Sequence, residues 1–150
     1  RDGEKTDIVW NNQENYISDE GKLMEAYDEI KEKLGINVLK INYLPKNVFL
    51  SEINIEGGQA RLDFICDDSY MYVLQILYSK ENSGNRFSDG QTYSSVFNEW
   101  LNMEIPMQKT KRKDGLYEYS AHIEIDNAYY YIQGVLEEEE FVNIIKDVSI

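Results

Sequence analysis

A long β-hairpin is the clearest pattern of apolar and polar positions in the chain. Residues 116–125 and 128–136 alternate as strands do, and Asp126 and Asn127 between them suit a two-residue turn. Cross-strand partners share a face, and a slip of one residue would mix the apolar and polar sets. The turn predicts these pairs on the apolar face: Ile125 with Ala128, Ile123 with Tyr130, and Ala121 with Ile132.

A second hairpin is predicted from residues 48–55 and 60–66, with Gly57 and Gly58 at the turn. Its expected pairs are Ile55 with Ala60, Ile53 with Leu62, Ser51 with Phe64, and Phe49 with Cys66. Residues 70–78 follow and are apolar on both faces, which is typical of a central strand. A short loop at 67–69 would place three of them on the core face: Tyr72, Leu74 and Ile76.

Two segments have helical periodicity. A helix beginning at Ser18 or Asp19 and ending before Gly35 has its apolar stripe at Leu23, Tyr27, Ile30 and Leu34. Residues 137–148 form the second, with four glutamates in its first turn, where the helix dipole favours negative charge. The apolar stripe of this final helix should cover the hairpin face that bears Ile123, Tyr130 and Ile132, burying Phe141 and Ile145.

The remaining segments are weaker signals. Residues 8–10 allow one short strand, and residues 79–90 are predicted to form a polar loop. Residues 95–107 fit a helical turn or a strand. We prefer a strand, then a bend near 100–103, then a second strand to about residue 111. The sequence therefore predicts an α+β fold: one antiparallel sheet of about five to seven strands, with an N-terminal and a C-terminal helix packed on it. Residues 1–17 would be a polar lead-in and 18–150 a single domain.

Charge and composition exclude several classes of function. The 28 acidic and 15 basic residues give a net charge of −13, which argues against nucleic acid and anionic membrane surfaces as partners. One cysteine excludes an internal disulfide and any Cys-rich metal site. We expect no cofactor and no metal.

Chemistry could be sought only at His122, the single histidine. A nucleophilic site would need Ser120 or Cys66 beside it. Cys66 falls on the predicted core face and His122 on the opposite one, and the chain has no Gly-x-Ser-x-Gly elbow. We therefore expect that the protein is not an enzyme; a small hydrolase using His122 is the least favoured alternative.

The face of the terminal hairpin opposite to its core side carries the candidate binding residues. There the predicted register sets Tyr131 across from His122 and Tyr129 across from Glu124. Tyrosine offers a large apolar body and a hydrogen-bonding tip at low entropic cost, which suits recognition. The alternative is structural: residues 79–90, or the N-terminal segment with Trp10, fold over these side chains.

Short motifs resemble a known family. The sequence has Tyr43-Leu44-Pro45 before the strands, Tyr129-Tyr130-Tyr131-Ile132-Gln133-Gly134 in the last strand, and Glu139-Glu140-Phe141-x-x-Ile144 in the closing helix. Over roughly residues 36–150 this resembles the bacterial domain-of-unknown-function family 4367, although the usual Ser/Thr cap before the last helix is missing. The resemblance implies an extracytoplasmic domain of a Firmicutes protein behind a single membrane span, with no established catalytic residues.

We therefore expect a non-enzymatic extracytoplasmic sensor or protein-interaction domain. It would be a monomer with an unknown protein or small-ligand partner, and tethered to the membrane only through an N-terminal anchor that is not in this sequence. The alternative is a carrier of a small ligand or lipid, with an apolar cavity between sheet and helix of more than ~300 Å³.

Overall fold

One antiparallel sheet of eight strands organises the protein in the computed structural model, which describes residues 5–9, 19–66, 69–77 and 92–150. Two helices lie on one of its faces. The strands run in the spatial order β1-β2-β3-β4-β8-β7-β6-β5. The elements are β1 (Lys5–Val9), α1 (Asp19–Leu34), β2 (Val48–Glu56), β3 (Gln59–Cys66), β4 (Ser69–Leu77), β5 (Thr92–Asn98), β6 (Met103–Lys111), β7 (Tyr117–Ile125), β8 (Ala128–Gly134) and α2 (Glu138–Asp147).

The prediction of five to seven strands was too low, since the sheet has eight. The extra strand is β1, which pairs with β2 although it lies among the residues assigned to the lead-in. With five residues, β1 is too short to show clear alternation. The strand, bend and strand expected within 95–111 are confirmed as β5 and β6. The polar loop at 79–90 and Trp10 lie outside the described residues.

Both predicted hairpins form, but the register of the hairpin of β2 and β3 differs in part from the prediction. In β7 and β8, Ile123 pairs with Tyr130 and Ala121 with Ile132, as expected. In β2 and β3 the pairs near the turn are also confirmed, but a bulge between Leu50 and Glu52 then sets Leu50 opposite Phe64. The expected pairs of Ser51 with Phe64 and of Phe49 with Cys66 were therefore wrong, since Phe49 pairs with Ile65 and Val48 with Cys66. The bulge places Leu50, which is fully buried, on the core face and leaves Phe49 exposed.

The face assignment of β4 was also wrong. Val73 pairs with Ile132 of β8, so Met71, Val73 and Gln75 point towards the helices. Tyr72 and its neighbours at 74 and 76 therefore lie on the opposite face. Because β4 is apolar on both sides, its own alternation does not identify the core side. The register with β3 decides it: Ser69 pairs with Cys66 and therefore belongs to the strand rather than to the expected loop at 67–69, and this one-residue difference reverses the two faces.

The helices cover the two halves of the core face. Helix α1 packs on β2, and α2 packs on β5 and β7. Phe141 and Ile145 are completely buried, and the Phe141 ring lies 5.8 Å from that of Tyr119 on β7, so the expected burial of the last helix is confirmed. The expected cover of Tyr130 and Ile132 by this helix was wrong, because α2 packs mainly on β5 and β7. Between the helices, residues 36–42 run across β4 and β8; we call them the crossing segment.

Side-chain hydrogen bonds from the sheet, together with one β-bridge, attach the crossing segment to its neighbours. The fully buried Gln75 side chain accepts from the Leu39 N–H at 2.9 Å and donates to the Leu39 carbonyl at 3.0 Å. The Tyr130 hydroxyl donates to the Asn37 carbonyl, and Lys40 forms an antiparallel bridge with Ser149. These bonds pair both backbone groups of Leu39 and of Lys40 although the segment belongs to no strand of the sheet.

A buried asparagine joins the β5–β6 turn to the last helix. Asn98 donates to the carbonyls of Ile145 and Val148 at 2.8 and 2.9 Å, and its own side-chain oxygen accepts from the Leu101 N–H at 2.7 Å. The final carbonyls of a helix have no partner within it, so the Asn98 amide supplies what the end of α2 lacks. The turn therefore has a fixed position against α2.

Replacement of Gln75 by Leu should destabilise the protein by roughly 2–4 kcal/mol, because it leaves the buried N–H and carbonyl of Leu39 without partners. Urea unfolding of the two proteins measures the difference. Gln59→Leu, the same change at a half-buried position of β3, should cost about 0.5 kcal/mol or less. Equal losses for the two variants would show that the Leu39 contact does not hold the crossing segment.

Candidate functional site

The candidate residues lie together on the face of the sheet opposite to the helices. Tyr131 of β8 pairs with His122 of β7 on one side and with Leu74 of β4 on the other. Tyr129 is one step along the same face, opposite Glu124. The predicted grouping of Tyr129, Tyr131 and His122 is therefore present in the structure, and all three side chains are half-buried.

Two tyrosines of β4 extend this group. The ring centroids of Tyr72 and Tyr131 are 6.2 Å apart, and Tyr70 and Tyr72 are stacked at 6.4 Å. His122 stacks on Tyr129 at 6.0 Å with 18° between the ring planes. Together these five side chains span three neighbouring strands, β4, β8 and β7. We call this set the aromatic platform: Tyr70, Tyr72, His122, Tyr129 and Tyr131.

The sequence did not identify Tyr70 and Tyr72, because β4 was assigned the wrong core face. A signal was nevertheless present, since Tyr70 and Tyr72 have the same two-residue spacing as Tyr129 and Tyr131. Tyrosine at alternate positions of two strands indicates one face with both apolar and hydrogen-bonding character.

The hydroxyl groups of Tyr70, Tyr72 and Tyr131 are held by neighbouring polar side chains. The Gln133 side-chain oxygen accepts from Tyr72 at 2.8 Å and from Tyr131 at 2.7 Å. The Tyr70 hydroxyl donates to Glu118. These contacts fix the rings before any partner arrives, which lowers the conformational entropy that binding would lose.

Charges of mostly one sign border the platform. The Arg61 guanidinium lies 4.1 Å from the centre of the Tyr72 ring, and its Nε forms an ion pair with Asp63 at 2.9 Å. Glu118 and Glu124 lie on the same face in β7, as their register with β6 and β8 requires. The border is therefore acidic, with Arg61 already paired.

Burial has a chemical consequence for the platform. It raises the pKa of Tyr72 and that of Tyr129 each to about 12. Nearby Tyr131 adds a smaller increase to both, and Glu124 adds one to the pKa of Tyr129. Both hydroxyl groups therefore keep their protons at neutral pH and act as neutral hydrogen-bonding groups.

Among the described residues, neither Cys66 nor Ser120 forms a nucleophilic pair with His122. Cys66 lies in β3, and two strands, β4 and β8, separate it from β7, a distance of roughly 14 Å at the usual strand spacing. Ser120 lies two residues from His122 along β7, and among the described contacts no hydrogen bond joins them. In the described part of the chain, no group of three or more His, Cys, Asp or Glu residues could hold a metal ion.

Two clefts that described residues line lie beside the helices, away from the aromatic platform. One of about 490 Å³ lies between α1 and the crossing segment, with Leu23, Tyr27 and Ile41 in its wall. The other, of about 740 Å³, lies where the β5–β6 turn meets the end of α2. We call the second cleft the Trp100 groove; its walls are Tyr43, Phe97, Glu99, Trp100, Asn143, Lys146 and Asp147.

Comparison with known proteins places the chain in a family. The model of the family described as "Domain of unknown function (DUF4367)" matches residues 38–148. The chain belongs to this family. The DUF4367 match begins in the crossing segment and ends after α2, so it includes the aromatic platform and the Trp100 groove. Neither the curated proteins nor the solved structures gave a match.

Among the residues described, no helix of this DUF4367 chain combines the length and the apolar composition that crossing a bilayer requires.

Alkaline titration should separate the buried tyrosines from ordinary ones. Burial raises the pKa of Tyr27, Tyr72, Tyr129 and Tyr130 to about 12, against 10 for a solvated tyrosine. The unfolded chain releases these protons first, so stability present below pH 10 should be lost as the pH rises towards 12. Ultraviolet absorbance of folded and guanidinium-unfolded protein measures the ionisation.

The Tyr72→Phe variant is the control for that titration, because it should remove one late-ionising group and leave the remaining curve in place. Coincident curves for the folded and unfolded wild-type protein would contradict the assigned burial.

Proposed function

We propose that this DUF4367 chain is a non-enzymatic interaction domain that binds a partner protein through the aromatic platform. The observation that carries the proposal is the platform itself: four tyrosines and a histidine lie partly accessible on one sheet face. Tyr72 lies against the rings of both Tyr70 and Tyr131, and His122 stacks on Tyr129. Tyrosine contributes large contact area and hydrogen bonds with few rotatable bonds, as protein-binding surfaces require.

The charges around the platform support a basic partner. Glu118 and Glu124 border it, in addition to the Asp63 that pairs with Arg61, and the whole chain has a net charge of −13. Opposite charges across an interface speed association and exclude wrong partners. The partner surface that complements the platform therefore combines basic side chains at its border with apolar groups at its centre.

In the cell, the chain acts as a monomeric extracytoplasmic sensor or interaction domain of a membrane-anchored Firmicutes protein. The resemblance of its motifs to extracytoplasmic domains behind a single span supports this location. An acidic surface also suits it, because a tethered domain with negative charge is repelled by anionic lipid headgroups and extends away from the membrane.

A carrier of a small apolar ligand is the second candidate. The cleft of about 490 Å³ favours it, because Leu23, Met24, Tyr27 and Leu44 give that cleft an apolar wall of a size that suits a small molecule. The cleft lies on the helix side of the sheet. Changes at the aromatic platform should therefore leave such binding unaffected, and the two functions can be separated.

Photo-cross-linking in cells tests the platform as a protein-binding surface. A benzoyl-phenylalanine at position 131 or 129 should capture one defined protein, and the same residue at position 117 should not. Tyr117 is an exposed tyrosine of the same hairpin that faces the opposite side of the sheet, so it controls for exposure and chemistry.

Replacement of both Tyr129 and Tyr131 by Ala should then weaken binding of the captured protein at least tenfold. The melting temperature should fall by only a few degrees, because both side chains are half-buried rather than core. Tyr117→Ala should leave binding unchanged. A large loss of stability in the double variant would instead show that the two tyrosines are structural, and the platform would be abandoned as a binding surface.

Location is tested on the full-length protein. We expect an apolar run of about 20 residues encoded upstream of Arg1, and digestion of the domain by protease added to intact cells from which the wall has been removed. Protection from the protease until the membrane is broken would place the domain inside the cell and overturn the proposed location.

A further inference from the structure

The Trp100 groove has a composition that neither the fold nor the aromatic platform explains. Its volume is about 740 Å³, and its walls combine aromatic rings with charged side chains. Trp100 is 67% exposed and Phe97 is 46% exposed, although both are large apolar groups. Exposed aromatic side chains that meet in a cleft are typical of binding surfaces.

The indole ring of Trp100 has a fixed orientation. Its Nε1–H donates to Asp147 Oδ1 at 2.9 Å, which joins the β5–β6 turn to the last residue of α2. The neighbouring Asn98 holds the same turn through its bonds to the carbonyls of Ile145 and Val148. The groove wall is therefore preorganised, and a ligand that stacks on the indole need not immobilise it.

Charge identifies the kind of ligand. Glu99 and Asp147 bring two carboxylates to the groove, and Lys146 brings one opposing charge. A further carboxylate, Glu140, is held at its edge by the Tyr43 hydroxyl at 2.6 Å. The negative groups therefore outnumber the positive one, and the groove attracts a cation.

Among biological cations, a guanidinium group fits both features of the groove. It is planar and stacks on an indole face, and it also forms paired hydrogen bonds with a carboxylate. We infer that the Trp100 groove binds the guanidinium group of an arginine side chain that a peptide or protein partner presents.

The position of the groove favours an arginine within a peptide over the free amino acid. The groove lies beside β5, the last strand of the described sheet, which pairs there only with β6. An extended peptide can run along such an edge. Free arginine carries its own carboxylate, which Glu99 and Asp147 repel. The inference is independent of the aromatic platform, which is built on β4, β7 and β8.

Nuclear magnetic resonance titration of the whole chain tests the inference at physiological salt. The probes are Nα-acetyl-arginine methylamide and its uncharged isostere, Nα-acetyl-citrulline methylamide. The arginine probe should shift the Trp100 indole N–H signal, which a Trp100→Phe spectrum assigns, with a dissociation constant on the order of 1 mM for so small a ligand. The citrulline probe should bind at least tenfold more weakly, and free arginine also more weakly.

Variants at the groove separate a charge effect from a folding defect. Glu99→Gln and Asp147→Asn should each weaken binding about three- to tenfold; the Asn oxygen can still accept the bond from Trp100. Lys146→Gln should tighten binding about two- to fivefold, because it removes the one opposing charge. A gain in affinity cannot arise from unfolding.

Three results would overturn the inference. The first is equal binding of the arginine and citrulline probes. The second is a response confined to the amide signals of Tyr129 and Tyr131, which would move the cation site to the aromatic platform. The third is the absence of any shift at the Trp100 indole up to about ten times the expected dissociation constant, while the Lys146→Gln variant also fails to respond.

Discussion

The contact between the Gln75 side chain and the Leu39 backbone determines the arrangement of the helix layer. Its two hydrogen bonds pair the N–H and the carbonyl of Leu39, so that a non-strand segment can lie on the middle of the sheet. Tyr130 adds a third bond, to Asn37. With the crossing segment in place, α1 and α2 are set on the two halves of the core face, and the opposite face is left for the aromatic platform.

Local pairing was predictable from the sequence because each hairpin joins neighbouring segments through a short turn. The register of β7 and β8 followed from the Asp126-Asn127 turn alone, and the structure confirms it. The face of β4 did not follow, because Leu74 and Ile76 are as apolar as Met71 and Val73. Its orientation follows from the pairing of Ser69 with Cys66 of β3, which shortens the expected loop by one residue. The bulge at Ser51 depends on the packing of Leu50.

The candidate sites also differ in how far the sequence predicted them. Tyr129, Tyr131 and His122 belong to one hairpin, so the predicted register already grouped them. Tyr70 and Tyr72 joined them only when the order of the strands was known. The Trp100 groove could not be predicted from the sequence, because its residues are far apart in the chain. Tyr43 directly follows the crossing segment, and the others lie at the β5–β6 turn and in α2. Trp100 alone offered no signal of its hydrogen bond to Asp147.

The hydrogen bonds between the end of the crossing segment and the C-terminal residues also affect how the protein folds. Asn42 donates to the Asp147 carbonyl and to Ser149 Oγ, contacts that join residues 105 and 107 positions apart. Contacts of such long range give a topology a high contact order, and domains of this kind fold in milliseconds to seconds rather than microseconds. The hairpins can therefore form early while their core face is still solvated. Completion of the helix layer, with burial of that face, is expected to be the slow step.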